Sequence, residues 1–164
     1  MSAAPLAAVG GVIVLTAALA GTSQAVADPR CRDVDATIRD QVVDQGCPSP
    51  IPVCVIGTVR GKGHFDGTTV FVLGSRGEAP PTAPDQRPVS GTITYTFGDG
   101  STLTALETSV GNVDPETGAG HAGGTQEFTG GTGRYAGATG FAYLAQRYET
   151  DHFLTRIRGE VCHA

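Results

Sequence analysis

The sequence has no tryptophan and a single asparagine, Asn112. Aromatic, amide-rich surfaces of the kind that many sugar-binding modules use are therefore excluded. Positive charge is also scarce, because 11 Lys and Arg residues stand against 16 Asp and Glu residues and give a formal net charge of -5. Nucleic acids and anionic lipid surfaces are themselves negative, so this acidic balance argues against both as partners.

Complete catalytic and cofactor motifs are missing as well. The four histidines form neither H-x-H nor H-E-x-x-H, and no C-x-x-C pair is present, which disfavours a zinc site. The stretch Gly74-Ser75-Arg76-Gly77 is not the G-x-S-x-G turn of the α/β-hydrolases. The glycines near Gly57 and Gly131 miss the P-loop and dinucleotide spacings. We therefore expect no metal and no cofactor.

The N-terminal segment, 1–27, contains no Asp, Glu, Lys or Arg. Its apolar core, Leu6–Ala20, is about 15 residues long, shorter than the ~20 residues that span a bilayer. Ala25-Val26-Ala27 fits the A-x-A pattern that signal peptidase recognises. We interpret 1–27 as a cleaved signal peptide. The mature protein, starting at Asp28, is then secreted, extracellular and free of the membrane.

From residue 53 onward the chain alternates between apolar and polar residues with a period of two, which predicts β-strands. In Val89–Phe97, Ile93 and Tyr95 share one face, and threonines occupy the other. Gly98-Asp99-Gly100 then supplies a tight turn. The other predicted strands are Val53–Phe65, Thr68–Ser75, Ser101–Val110, His121–Thr129, Ala138–Glu149 and His152–Val161.

Sequential strands without crossover helices predict an all-β barrel or sandwich. Of the 24 glycines, 21 follow the predicted signal peptide, and they favour a small closed barrel, because glycine within strands is tolerated where a sheet bends sharply. We place this barrel domain at 53–164. The preceding segment, 28–52, is interpreted as a Cys-containing leader with a short helix over Asp33–Val43.

All four cysteines follow the predicted signal peptide, and an even number in a secreted chain predicts two disulfides. Cys54 and Cys162 both lie opposite the apolar face of their strands. Because the first and last strands of a closed barrel pair, we expect Cys54 to bridge to Cys162 across the seam. Cys31 and Cys47 then close a loop in the leader.

The segment Glu127–Gly140, EFTGGTGRYAGATG, contains a glycine-rich turn between two strands. It resembles a signature of the dirigent proteins and of the allene oxide cyclase-like barrels, GGTG-(R/K)-(F/Y)-x-x-A-x-G. The resemblance covers roughly Val53–Val161, although only this segment is specific. It implies an eight-stranded antiparallel barrel of the calycin type with a ligand cavity in its mouth. The residues alone favour a folded corner in which Tyr135 plugs the barrel end.

Several polar and aromatic side chains are expected to point into the barrel. A buried glutamate has a raised pKa and can act as a general acid or base. We therefore assign catalysis to Glu107 and Tyr143. The expected ligand-binding residues are Tyr95, Phe97, Phe141 and Arg147. The plainer alternative is that Glu107 forms a salt bridge with Arg147 at the barrel rim and that the tyrosines belong to the core.

Three functions remain open from the sequence. The first is a secreted barrel that binds a small apolar or aromatic molecule. The second is an isomerase or cyclase, or a dirigent-like protein, that steers a reactive intermediate, as the resemblance implies. The third is an extracellular structural or interaction protein, which a lumen filled by side chains would favour. A homo-oligomer is compatible with all three.

Overall fold

The computed structural model describes residues 30–43, 54–114, 116–149 and 151–164, which form a closed eight-stranded antiparallel barrel. Each strand pairs with the next along the chain, and β1 pairs with β8 to close the sheet. The strands are β1 (Cys31–Val43), β2 (Cys54–Gly61), β3 (Gly67–Arg76), β4 (Arg87–Phe97), β5 (Thr102–Val113), β6 (Gly120–Gly131), β7 (Thr139–Tyr148) and β8 (Phe153–Cys162). The predicted signal peptide lies outside the described residues.

The alternation of apolar and polar residues sets the two faces of the sheet. On β4, Ile93, Tyr95 and Phe97 are buried inside the barrel, whereas the intervening threonines lie on its outer surface. On β8, Ile157 and Val161 are buried in the same way. The predicted all-β barrel is therefore confirmed. No helix among the described residues is long and apolar enough to cross a membrane.

The helix predicted over Asp33–Val43 is wrong, because these residues belong to strand β1. Val34, Ala36 and Ile38 alternate with polar residues and are buried in the lumen. Asp, Ala, Arg and Gln have low strand propensity, and their presence hid this alternation. The barrel therefore begins at Cys31, ahead of the predicted boundary at residue 53, and part of the predicted leader supplies its first strand.

The predicted disulfides are also wrong. Cys31 and Cys162 are directly paired across β1 and β8, and their sulfur atoms are bonded. A disulfide does cross the barrel seam as expected, but the strand beside β8 is β1 rather than β2, so Cys31 takes the position expected for Cys54. Cys54 is itself disulfide-bonded, to a partner outside the described residues, where Cys47 also lies.

One end of the barrel, where β1 begins and β8 ends, is closed by aromatic rings, and we call it the closed end. Tyr135 is buried there by the short 3₁₀ turn Gly133–Tyr135, and its ring centroid lies 4.7 Å from that of Phe97. Phe65 packs against Phe97 from the other side, with ring centroids 5.1 Å apart. Tyr135 thus plugs the barrel end, as the glycine-rich segment predicts.

We expect replacement of both Cys31 and Cys162 by serine to destabilise the protein strongly. The bridge joins residues 131 positions apart, and the chain-entropy model assigns a loop of this size on the order of 4–5 kcal/mol, an upper-range figure. Urea denaturation of the double variant measures the loss. The control is Thr37→Ser on the exposed face of β1, which should change stability by less than about 0.5 kcal/mol. Peptide mapping that joins Cys54 to Cys162 would contradict this pairing.

Candidate functional site

The lumen is accessible from the end opposite the aromatic plug, where β1 ends and β8 begins, and we call this the open end. Strand alternation directs Phe71, Glu107 and Tyr148 into the lumen, yet all three are partly exposed. Val42 is on the inward-facing side of β1 at the rim and is 53% exposed. Solvent therefore reaches the inner face of the barrel from this end.

A chain of hydrogen bonds runs along the inner wall formed by β4, β5 and β6, below this opening. The Tyr95 hydroxyl donates to Oε1 of Gln126 over 2.6 Å, and Nε2 of Gln126 donates to Oε2 of Glu107 over 2.7 Å. Tyr95 and Gln126 are 0% exposed. Gln126 and Glu107 face each other directly across β5 and β6. The sheet register thus fixes the carboxyl group of Glu107 at the inner wall.

Two further polar side chains lie on the inner wall, and each has an atom without a hydrogen-bond partner. Asp40, Gly57 and Thr69 are direct neighbours across β1, β2 and β3. Asp40 is 8% exposed and Thr69 is 2% exposed. Within the described part of the chain, Oδ1 of Asp40 and Oγ1 of Thr69 are buried and have no hydrogen-bond partner. A buried polar atom without a partner costs about 1–3 kcal/mol, so these atoms mark a position for solvent or a ligand.

The intervening glycine makes this arrangement fit. A Cβ atom at Gly57 would lie 2.5 Å from the Cβ atom of Asp40, which is closer than two side chains can approach. The side chain of Asp40 therefore occupies the space in front of Gly57. We refer to Asp40, Thr69, Tyr95, Glu107 and Gln126 together as the polar cluster.

Burial controls the charge of the polar cluster. Burial of Asp40 away from water raises the pKa of its carboxyl group, and the negative charge of Glu107 raises it further, to about 7. His152 acts in the opposite direction. Burial also raises the pKa of Glu107, and the hydrogen bond from Gln126 partly opposes this. Among the described residues, no Lys or Arg forms an ion pair with either carboxyl group. The two acids thus share a low-dielectric space without a described Lys or Arg partner, and His152 is the basic group that acts on Asp40.

Aromatic rings surround the opening above the polar cluster. The ring centroids of Tyr148 and Phe153 lie 5.0 Å apart, and Phe153 is the direct neighbour of Asp40 across β8 and β1. The Tyr148 hydroxyl lies over Gly111, and the ring of Phe71 lies over Gly91. A Cβ atom at either glycine would collide with these rings. The open end therefore combines an acidic floor with an aromatic rim.

The inward positions expected for the site residues are only partly confirmed. Tyr95 and Glu107 line the lumen and belong to the polar cluster, as expected. Phe97 is also inside, but it packs against Tyr135 at the closed end. The expected salt bridge between Glu107 and Arg147 is absent from the described residues, because Arg147 pairs with Glu149 over 3.1 Å.

The expected positions of Phe141, Tyr143 and Arg147 inside the barrel are wrong. Phe141 is 41% exposed and Tyr143 is 62% exposed on the outer surface. The inner face of β7 carries Ala142 and Leu144 instead, both buried. The three predicted residues do share a face, but it is the outer face of β7, and Ala142, Leu144 and Tyr148 occupy the inner one.

Four residues of the open end were missed: Asp40, Thr69, Gln126 and Tyr148. Asp40 was missed because its strand was predicted as a helix. The inward position of Gln126 could have been predicted from the sequence. Gln126 shares period-two alternation with Ala122 and Phe128, both of which are buried. A polar residue at an inward position between apolar neighbours is the pattern of a buried hydrogen-bonding group.

A separate surface cleft of about 340 Å³ lies at the closed end and includes Lys62, Arg134 and His163. Two of its basic side chains have partners: Arg134 pairs with Asp99 over 3.2 Å, and Lys62 pairs with Asp35 over 3.2 Å. Exposed pairs of this kind contribute little energy. The buried side-chain atoms that lack a hydrogen-bond partner among the described residues belong to Asp40 and Thr69, on the side of the open end. We therefore place the candidate site at the open end.

No protein-family model, curated protein or solved structure matches this chain. The resemblance to dirigent proteins and allene oxide cyclase-like barrels thus stays a prediction that depends on Glu127–Gly140. The interpretation of the site consequently depends on the geometry of the barrel alone.

The raised pKa of Asp40 predicts that stability falls as pH rises. The unfolded carboxyl group releases its proton near pH 3.8, whereas the folded one holds it to about 7. Its stabilising contribution is therefore complete below pH 3.8 and lost above about 7. Each pH unit between the two pKa values is worth about 1.36 kcal/mol, so the total loss is at most about 4 kcal/mol.

Urea denaturation across this pH range measures the effect, and Asp40→Asn should flatten the profile and stabilise the protein at high pH. Asp33→Asn, on the outer surface of the same strand, is the matched control and should leave the slope unchanged. A profile of Asp40→Asn that is identical to that of the unmodified protein would show that Asp40 does not titrate in this way.

Proposed function

We propose that this is a secreted β-barrel protein that binds a small, largely apolar or aromatic molecule in the open end of its lumen. The observation that carries the proposal is the pair of unpartnered buried atoms, Oδ1 of Asp40 and Oγ1 of Thr69, below an accessible aromatic rim. Secretion is supported by the A-x-A pattern at 25–27 and by a disulfide, which is compatible with an extracellular protein.

The energetics of the lumen favour binding over a purely structural role. Apolar residues at positions 40, 69 and 107 would remove buried carboxyl and hydroxyl groups that lack full compensation. A barrel selected only for stability would gain from such replacements, since isolated buried polar groups are costly. Ligand sites are typically apolar pockets with a few convergent polar groups, and the open end has this composition.

The filled half of the lumen is the argument for the structural alternative. Tyr135, Phe65 and Phe97 are buried at the closed end, and their rings pack against one another inside the barrel. Partial exposure of the inward-facing residues Phe71 and Glu107 distinguishes the open end from it. The proposal therefore concerns only the half of the lumen between the polar cluster and the rim.

Filling the open end should abolish binding. Val55 lies on the inward-facing side of β2 beside Phe71, and it is partly exposed at the rim. Val55→Trp should lower the affinity for the neutral apolar dye N-phenyl-1-naphthylamine by at least about tenfold, because the indole occupies the space of the ligand. Dye fluorescence on titration measures this affinity.

The matched control is Ile56→Trp, which adds the same ring to the neighbouring residue on the outer surface. It should bind the dye as the unmodified protein does. Far-UV circular dichroism should be the same for both variants. Failure of the unmodified protein to bind the dye, or equal binding by the two variants, would contradict a ligand site in the lumen.

Acid–base catalysis is the second candidate, and the proton affinity of the polar cluster favours it. An acid whose pKa is about 7, as for Asp40, can donate and accept protons at neutral pH. Glu107 is a second carboxyl group of raised pKa nearby. Pairs of carboxyl groups held at different protonation states carry out acid–base steps in many enzymes. An isomerase or cyclase needs little more than this and a shaped lumen.

If the protein is such an enzyme, Glu107→Gln should separate binding from turnover. The amide keeps the volume of the side chain but neither gives nor takes a proton at neutral pH. With the molecule that co-purifies from culture medium as substrate, kcat should fall by roughly 10²–10⁴, the usual contribution of general acid–base catalysis. Glu127→Gln on the outer face of β6 is the control and should leave kcat unchanged. Full activity in Glu107→Gln would exclude this mechanism.

A further inference from the structure

The charges at the open end are unbalanced. Glu107 and Asp40 are the carboxyl groups of the polar cluster, and neither forms an ion pair with a described Lys or Arg. Arg76 and Arg87 lie at the rim of β3 and β4 but are exposed to solvent and form no described ion pair with these acids. The imidazole of His152 is engaged by Asp151 and Glu149, at 2.6 Å and 3.3 Å. The floor of the lumen is therefore a cation-poor acidic surface.

The carboxyl groups at this floor offer acceptors for hydrogen bonds, and the Thr69 hydroxyl can accept as well as donate. The Tyr95 hydroxyl proton is already given to Gln126, and one amide proton of Gln126 is given to Glu107. The unpartnered carboxylate oxygen, Oδ1 of Asp40, only accepts hydrogen bonds when ionised. The unpartnered hydroxyl of Thr69 lies in the same row of paired residues as Asp40, with Gly57 between them. A ligand that donates hydrogen bonds or carries positive charge satisfies these groups, whereas an anion is repelled.

The aromatic rim adds a second attraction for the same kind of ligand. Tyr148 and Phe153 pack edge to face, and Phe71 lies on the wall formed by Gly91. The faces of aromatic rings attract cations, and the effect is larger when the cation leaves water. Cages of aromatic rings bind quaternary ammonium ligands in other proteins.

We propose that the ligand of the open end is an organic cation, with its ammonium group at Asp40 and Glu107 and its apolar part against Phe71, Tyr148 and Phe153. The inference rests on the proposed binding function and narrows it to one chemical class. The ammonium group supplies the charge that the polar cluster lacks and the hydrogen-bond donor that Oδ1 of Asp40 lacks.

The dependence on pH follows from the groups that face Asp40. These are Glu107 on β5, Tyr95 on β4 and His152 before β8. Because burial and Glu107 hold the pKa of Asp40 at about 7, this carboxylate is ionised only in weakly alkaline solution. An amine of high pKa stays protonated throughout, so its binding should weaken as pH falls and the negative charge of the floor is lost.

Three probes of similar size and different charge test the inference on the unmodified protein. These are 2-phenylethylamine, 2-phenylethanol and 3-phenylpropanoate, titrated by calorimetry or ligand-observed NMR at about pH 8, where the amine is charged. We expect the amine to bind at least about tenfold more tightly than the alcohol and the propanoate to bind most weakly. Lowering the solution to about pH 5.5 should reduce amine affinity and leave alcohol affinity nearly unchanged.

Two nearly isosteric variants assign the effect to the floor. Asp40→Asn and Glu107→Gln should each reduce the preference for amine over alcohol by about threefold or more. Glu127→Gln removes a negative charge from the outer surface beside Gln126 and should keep the full preference. If Glu127→Gln reduces the preference equally, general surface charge explains it and the inference is wrong.

The outcomes separate the inference from the function on which it rests. Equal binding of amine and alcohol, with binding of the neutral dye retained, would overturn the organic cation and leave a ligand-binding lumen standing. Binding of none of the three probes would also overturn the inference. Loss of dye binding in addition would contradict the proposed function itself.

Discussion

The pairing of β1 with β8 is the contact on which the rest of the molecule depends. It closes the sheet, so that the sheet has no free edge. Closure also separates an inner face from an outer face that lies in water. The disulfide between Cys31 and Cys162 ties this same pair of strands together. Once the sheet is closed, each inward-facing side chain must fill space, find a polar partner or meet solvent through an end. The carboxyl groups of Asp40 and Glu107 derive their high proton affinity from this enclosure.

The two ends of the barrel meet these demands differently. At the closed end, the turn over Gly133–Tyr135 places an aromatic ring beneath the strands, and Phe65 and Phe97 complete a dry core. At the open end, Gly91 and Gly111 line the wall, and rings from neighbouring strands lie across the space that their missing side chains leave. At these two positions glycine has a physical reason, because Phe71 and Tyr148 occupy the space that a side chain would take.

The sequence predicted the fold class well, since alternation on strands such as Val89–Phe97 depends on local pattern alone. It failed at Asp33–Val43, where residues of low strand propensity form a strand because β8 and β2 pair with it on both sides. The wrong disulfide prediction has the same origin. Because β1 was not predicted as a strand, the barrel seam was expected between β2 and β8 rather than between β1 and β8. The site was predicted only where alternation decides the face, as for Tyr95 and Glu107. Tyr143 was wrongly placed inside the barrel because both faces of β7 alternate equally regularly. Only the space available inside the barrel decides which face points inward.

The two candidate activities place opposite demands on the polar cluster. General acid–base catalysis needs one carboxyl group to hold a proton while the other is ionised, and burial together with mutual repulsion of Asp40 and Glu107 provides that condition. A bound organic cation removes this difference in protonation, because a positive charge nearby favours the ionised form of both acids. Proton release on binding therefore distinguishes the two activities before any substrate is known. A cation that displaces a proton from Asp40 stabilises a state in which neither acid can donate, so the proposed binding of ammonium groups and the proposed catalysis exclude each other at these two acids.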